Sequence, residues 1–310
     1  MISRQLLPTL KANQNYLTRI IKLIDLQKIK DIISLSKPII SASISFTTLT
    51  GYVLSKGVID FIIISTLIGV FLLAAGASIF NHIIERKTDA LMPRTQNRPI
   101  PSGRISVTEA TIWASVFLLS GSTFLLLFTN PACVILGIFN AVWYNLVYTP
   151  MKRVSTVALF AGTITGIIPF FIGTVAATNQ PPQHAQFFIA MYMFLWQIPH
   201  FLLLLCKYGI EYEKAGLASI TKSTSVEKIL HISYIWMIAS CIASLFIPLF
   251  GISHHLATGV IILTITFVVI LFIFYSLFIK RNIHDYKTAF IITNLMQSGF
   301  MVALIFDNLI

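Results

Sequence analysis

Within the stretch NHIIERKTDALMPRTQNRPIPSG, residues 81–103, five side chains are of types that could do chemistry together. Asn81, Glu85 and Asp89 recur at i, i+4 and i+8, so on a helix of 3.6 residues per turn they stack along one face. An oxygen-rich stripe of this kind repels itself unless a cation sits on it. Mg²⁺ suits it, because that ion takes one or two carboxylates, keeps several waters and shares substrate phosphates. Arg94 and Arg98 follow, again four apart. Guanidinium forks match phosphate oxygens. Metal-binding carboxylates beside phosphate-binding arginines describe a diphosphate site. A plainer reading stands beside it, in which Glu85 and Asp89 pair with Arg86, Lys87 or Arg94 at an interface.

A second acidic group lies in KYGIEYEKAG, residues 207–216, with Lys207 four residues before Glu211 and Tyr212 next to it. Gly209 and Gly216 predict a looped or broken helix end there. Glu211 could hold a second Mg²⁺ or the far side of the same diphosphate. Tyr148 and Lys152, in YTPMKR, make another i, i+4 pair, with Lys152 either a point charge on phosphate or a lysine that stops a span. The prolines at 93, 99 and 101 interrupt the chain after the first acids, so Arg94 and Arg98 can fold back over them.

The elements that must position these groups are membrane helices. Of 310 residues 56% are hydrophobic and 11% charged, with mean hydropathy +0.84; soluble domains are nearer about 25% charged. Several uncharged runs reach the ~20 residues needed to cross a bilayer. Spans are predicted at 39–56, 60–84, 107–128, 131–149, 156–177, 185–206, 229–250, 256–279 and 288–306. With nine spans, every one of the 22 Lys and Arg residues except Lys56 falls on one side. The positive-inside rule makes that side cytoplasmic, with the N-terminus inside and the C-terminus outside. This placement explains the net charge of +11 without nucleic acid as a partner. The expected architecture is all-α and polytopic. Residues 1–38 form a basic cytoplasmic or interfacial segment, and residues 39–306 form one nine-helix domain. Within the N-terminal segment, residues 16–35 have helical spacing suited to lying along the surface, or form a loose basic tail.

Glu85/Asp89 and Glu211/Glu213 follow spans two and six, an offset of four that suggests two related halves plus one helix. Asp60, Glu109, Glu227, Asp285 and Asp307 sit singly near span ends and read as interfacial or capping charges. Cys133, Cys206 and Cys241 lack metal-ligand spacing and read as small buried residues. His254 and His255 lie on an outer loop, away from the predicted site. Asn145, Asn294 and Gln297, polar positions inside spans, either hydrogen-bond between helices or line a cavity.

With these residues in place, the sequence resembles the UbiA superfamily of intramembrane prenyltransferases. The 81–89 stretch is similar to its aspartate-rich motif, with Glu85 where the family usually has Asp. Arg94-Thr95-Gln96-Asn97-Arg98-Pro99 to Gly103 resembles the protohaem IX farnesyltransferase branch. So do LSKPII (35–40), YTPMKR (148–153), and LWQIPHFLLL (195–204) followed by EYEKAG (211–216). The loop after Gly216 departs from the branch. The resemblance implies a UbiA-type bundle and farnesyl transfer from farnesyl diphosphate to a vinyl group of haem B, with addition of water. Mg²⁺ is the implied cofactor, held by Asn81, Glu85, Asp89 and Glu211. Asp89, Glu85, Lys152, Arg94, Arg98 and Tyr148 would act in catalysis. Asn81, Arg94, Arg98, Lys152, Lys207, Glu211, Tyr212, Trp196, Gln197 and His200 would bind substrate. His200 could ligate iron, bond a propionate or handle a proton, and Pro199 could kink its helix. A bacterial inner membrane is the implied location, and a haem A synthase or terminal-oxidase assembly the implied protein partner. Two alternatives compete. One is a UbiA-type enzyme with an aromatic acceptor such as a quinone precursor, and RTQNRP and WQIPHF speak against it. The other is a secondary transporter, which predicts ionisable groups at the bilayer midplane rather than at one face.

Overall fold

Backbone groups in lipid must find partners within their own segment, so spans are helical. The computed structural model describes residues 26–280 and 286–310, and among these there are helices and no strands. In chain order they are α1 (Leu26–Leu35), α2 (Pro38–Lys56), α3 (Phe61–Asp89), α4 (Val107–Phe128), α5 (Pro131–Val142), a π-helical turn (Trp143–Tyr148) and α6 (Thr149–Val154). Then come α7 (Ala158–Thr178), α8 (His184–Lys214), a 3₁₀ turn (Ile220–Lys222), α9 (Val226–Leu249), α10 (Leu256–Phe274) with a π turn (Tyr275–Lys280), and α11 (Tyr286–Leu309). Eight segments among the described residues are long and apolar enough to cross a membrane. The pair α1 and α2, bent by 47° at a short break, makes a ninth.

The helix starts follow local chemistry. Asp60 caps α3 by accepting from the Ile62 and Ile63 amides, and its carboxylate also takes the Tyr52 hydroxyl and the Lys56 ammonium. Burial alone would raise the Asp60 carboxyl, but the bonds from Lys56 and Tyr52 outweigh it and hold the group at about 2. Ser106 and Glu109 close a capping box on α4, and Asn130 caps α5. Asp307 is buried on α11 and accepts from the His254 and His255 amides, so it fastens the turn before α10. These three acids behave as capping charges, as their positions suggest. Asp285 lies outside the described residues, as do residues 1–25 of the N-terminal segment. Within that segment, α1 is helical, and its Asp31 is buried against Arg104.

One correction concerns the sixth span. A break was expected at Gly209, yet α8 runs unbroken to Lys214, past both Pro199 and Gly209. The glycine is there for close packing: Thr221 of the returning segment lies where a side chain on residue 209 would sit. The chain turns instead at Gly216, at φ +76°.

α3 packs along α4, α2 along α7, and α8 along α9. Small residues let backbones approach at the α2–α7 crossing, as is common between helices in lipid. A Cβ on Gly51 would collide with the Phe170 carbonyl, and one on Gly173 with the Thr48 carbonyl. Gly51→Ala is therefore expected to destabilise the bundle by about 1–3 kcal/mol. A lowered melting temperature in detergent would show it, and an unchanged one would place the crossing elsewhere.

Candidate active site

α2, α3, the α5–π–α6 segment, α7 and α8, with the turn after α3, Ser34 of α1 and Asn294 of α11, line a cavity of about 790 Å³. Its charged residues collect at one end. α3 continues to Asp89, so Asn81, Glu85 and Asp89 do stand on one unbroken helix, and all three line the cavity. Asp89 is 1% exposed. The chain turns back after Pro93, and one Arg98 nitrogen lies 2.8 Å from each Asp89 oxygen. Glu85 accepts from Lys152 at 2.5 Å. The carboxylates are therefore paired, but with Arg98 and Lys152 rather than with Arg86, Lys87 or Arg94. Arg86 instead donates to the Ile83 carbonyl, one turn back on its own helix.

The π turn at Trp143–Tyr148 accommodates Pro150, which has no N–H to donate. It leaves Thr149 to donate its hydroxyl to the Tyr144 carbonyl and to accept from Asn81 Nδ2 at 3.0 Å. Tyr144 and Tyr148 stack, with centroids 5.8 Å apart, and the Lys152 ammonium lies 4.9 Å from the Tyr148 ring. Tyr148 also packs on Phe201 of α8, so an aromatic collar separates the charged end from the deeper cavity.

Eleven of the thirteen expected site residues line this one cavity, among them Arg94, Arg98, Tyr148, Lys152, Tyr212, Trp196, Gln197 and His200. The structure does not bring Lys207 and Glu211 to its wall. Lys207 lies over the Tyr208 ring. Glu211 faces Arg94 at 4.0 Å, and Arg94 stacks on Tyr208 from the same side. Glu211 Oε2 is buried with no hydrogen-bond partner, so it stands close to the mouth with acceptor capacity to spare.

Two residues at the charged end had not been assigned to it. Lys37 belongs by sequence to the basic segment 1–38. It holds a left-handed conformation, φ 46° and ψ 61°, at the α1–α2 break, and points its ammonium at Asn81 Oδ1, 3.1 Å away. That backbone costs on the order of 1–2 kcal/mol for a non-glycine residue. Pro38 was the available signal, since a residue before proline is pushed out of the right-handed helical region. His82 is buried, with Nδ1 3.6 Å from Asp89 and neither ring nitrogen hydrogen-bonded.

The donors fit Mg²⁺. Among the described residues no three His, Cys, Asp or Glu converge as a ready-made cage. An ion that shares its shell with waters and substrate phosphates needs only one or two carboxylates, and Glu85 and Asp89 supply two on one face. Lys37, Lys152 and Arg98 neutralise the stripe meanwhile and remain at hand for an anion.

Deeper, α8 and α11 form a second, mostly aromatic wall. Trp196 donates its indole N–H to the Thr293 carbonyl at 2.7 Å. His200 Nδ1 meets Asn294 Oδ1 at 3.0 Å, and its ring lies between Trp196 and Phe290. Of the polar span residues, Asn294 lines the cavity, whereas Asn145 bonds the Ala77 carbonyl on α3. Gln297 is buried with both amide atoms unpaired.

An apolar membrane bundle whose cavity has an acidic stripe, basic partners and an aromatic collar is built to take an amphiphile with an anionic head. The model of the UbiA prenyltransferase family matches residues 44–299, and the chain belongs to that family. It is a prenyltransferase embedded in a membrane by multiple spans. It is 37% identical to the protoheme IX farnesyltransferase of Cytophaga hutchinsonii over 59% of this chain and 64% of that protein. It is 33% identical to that of Flavobacterium psychrophilum, over 73% of this chain and 76% of the relative. For that of Christiangramia forsetii the values are 32%, 76% and 79%. Among solved structures, a digeranylgeranylglyceryl phosphate synthase shares the fold at TM-score 0.74 and 18% identity, over 91% of this chain and 99% of that one. A UbiA homolog from Archaeoglobus fulgidus bound to GPP and Mg²⁺ shares it at TM-score 0.65 and 15% identity, over 88% and 99%.

Proposed function

We propose that this chain transfers the farnesyl group of farnesyl diphosphate to a vinyl group of haem B, with addition of water, giving haem O and diphosphate. The observation that carries this is a single cavity that joins the Glu85–Asp89–Arg98–Lys152 charged end to the Trp196–His200–Asn294 wall. The relatives' names point to the same donor and acceptor.

Lys37, Arg94, Arg98 and Lys152 bind the diphosphate and offset the charge that grows on it as the carbon–oxygen bond breaks. Preorganised charges aimed at developing charge are the largest usual source of rate enhancement. Asn81, Glu85 and Asp89 would hold Mg²⁺, with Glu211, opposite Arg94 near the mouth, as a further carboxylate; the ion would supply further neutralisation of the leaving diphosphate. Tyr144, Tyr148 and Phe201 line the cavity next to the charged end, where the allylic cation would form, and their π faces favour positive charge. The apolar cavity takes the isoprenoid chain and keeps bulk water from the cation. The vinyl group attacks from the Trp196–His200 side. The positive-inside rule puts the charged end at the cytoplasmic face. Residues 1–38 are a basic cytoplasmic or interfacial segment in this reading, and residues 39–306 form the transferase proper. A bacterial inner membrane, and transfer of product to a haem A synthase or terminal-oxidase assembly, complete the reading.

An acceptor competition tests it. Purified protein is offered farnesyl diphosphate, Mg²⁺ and equal amounts of haem B and 4-hydroxybenzoate. Farnesyl is expected on the tetrapyrrole alone. Prenylated hydroxybenzoate with untouched haem would assign the chain to an aromatic-acceptor branch.

A further inference from the structure

Two amide oxygens in the cavity wall have no hydrogen-bond partner although both are buried, Gln197 Oε1 and Asn140 Oδ1. Gln197 itself is 8% exposed. Both residues line the cavity, and both meet the same turn of α7. Asn140 donates to the Thr165 carbonyl, and the Gln197 amide lies against Gly166, where a Cβ would collide with it. Buried acceptors left unpaired in a native wall call for an occupant.

Their depth is informative. Phe201 and Gly162 lie against Tyr148, at the collar below the charged end. Gln197 is four residues before Phe201 on α8, and Gly166 four beyond Gly162 on α7, so the orphan oxygens lie about 6 Å deeper, one helical turn. That is where the carbon next to the reacting vinyl terminus would rest if the diphosphate sits above the collar.

We infer that Asn140 and Gln197 are water-positioning residues, holding between them the water that hydrates the acceptor after prenyl transfer. This rests on the function proposed above. Two acceptors take both hydrogens of one water, and so turn its lone pairs into the cavity. A buried water needs two to four polar partners, and the two amides supply two. The steps balance without any redox partner. The carbon–oxygen bond of the farnesyl diphosphate breaks, and its electron pair leaves with diphosphate. The vinyl π pair forms the new carbon–carbon bond and leaves a cation beside the porphyrin. The water oxygen bonds to that carbon, and one of its two hydrogens, released from its amide acceptor, leaves as a proton. His200, one turn from Gln197 on α8 and lining the same cavity, would take it. Asn294 Nδ2 donates to the Phe290 carbonyl, so its Oδ1 accepts from His200 Nδ1–H. Nε2 is then the ring nitrogen with a free lone pair.

The test is product partition. Gln197→Met, Asn140→Leu and Gly166→Ala, which would push the Gln197 amide aside, are each assayed with haem B, farnesyl diphosphate and Mg²⁺. Mass spectrometry then counts hydrated product and product lighter by one water. The hydrated-to-dehydrated ratio should fall by roughly tenfold per variant, as expected for losing one hydrogen bond to the attacking water. The ratio is taken among product molecules, so partial unfolding lowers yield and leaves it unmoved. Slower variants that still give only hydrated product would overturn the inference. A wild type that gives no prenylated haem at all would overturn the function instead. A second readout needs no turnover: a high-resolution map should show one water bridging the two amides in the wild type and none in Gln197→Met. A direct amide–amide contact would refute it.

Discussion

Asp89→Asn should lower turnover by about a thousandfold or more, the scale of removing a preorganised charge from a transition state, while the bundle stays folded. The carboxylate stands at the closed end of the stripe, 1% exposed, with Arg98 on both oxygens and His82 behind it. The amide keeps the shape and one acceptor for Arg98 but removes the charge. Breaking a buried pair is costly, and with Arg98 partly exposed the stability loss should be about 1–3 kcal/mol. A purely structural role for the pair makes a different prediction. It would let Asp89→Asn combined with Arg98→Met recover both stability and turnover. On the present account the double variant recovers stability alone. Steady-state rates and melting curves on the same preparations separate the two, and a single variant within tenfold of wild type would remove Asp89 from the chemistry.

Lys152→Met should cost about 10²–10³ in kcat/KM for the prenyl diphosphate. Its ammonium bridges Glu85 and the face of Tyr148, at the junction of charged end and collar. Methionine preserves the length of the stem and deletes only the charge. Glu85, half-buried, then loses its hydrogen-bonded counterion, so a second change, Glu85→Gln, should restore the melting temperature and leave turnover low. If kcat/KM stays within a few-fold of wild type, Lys152 only ends a span and neutralises Glu85.

Much of the charged end is legible in the sequence because its geometry is helical arithmetic. Asn81, Glu85 and Asp89 share a face wherever the helix continues, and it continues to Asp89. The return of Arg98 follows from prolines that stop the helix. The pairing of Tyr148 with Lys152 follows from their spacing, although the π turn just before them does not. Lys37 is not legible in the sequence because its role depends on one residue in a left-handed conformation, which directs a charge of the basic N-terminal segment into the cavity. His82 was hidden by its surroundings, one more polar residue in an apolar run until the fold places it beside Asp89. Gly209 misled because a glycine that ends a helix and one that admits a neighbour look alike in sequence. Only Thr221, twelve residues on, tells them apart. Lys207 and Glu211 share a helix with Tyr212, yet only Tyr212 reaches the wall, a matter of helix phase at the end of α8.

The most direct measurement of the central claim is the mass of haem recovered after turnover. Purified protein is incubated with haem B and farnesyl diphosphate, with Mg²⁺ or with a chelator, and the tetrapyrrole is extracted. A haem heavier by one farnesyl group plus one water is expected when Mg²⁺ is present, and unmodified haem when it is chelated. Unmodified haem under both conditions would contradict the assignment of the cavity to prenyl transfer onto haem. The same heavier haem under both would contradict the metal role of Glu85 and Asp89.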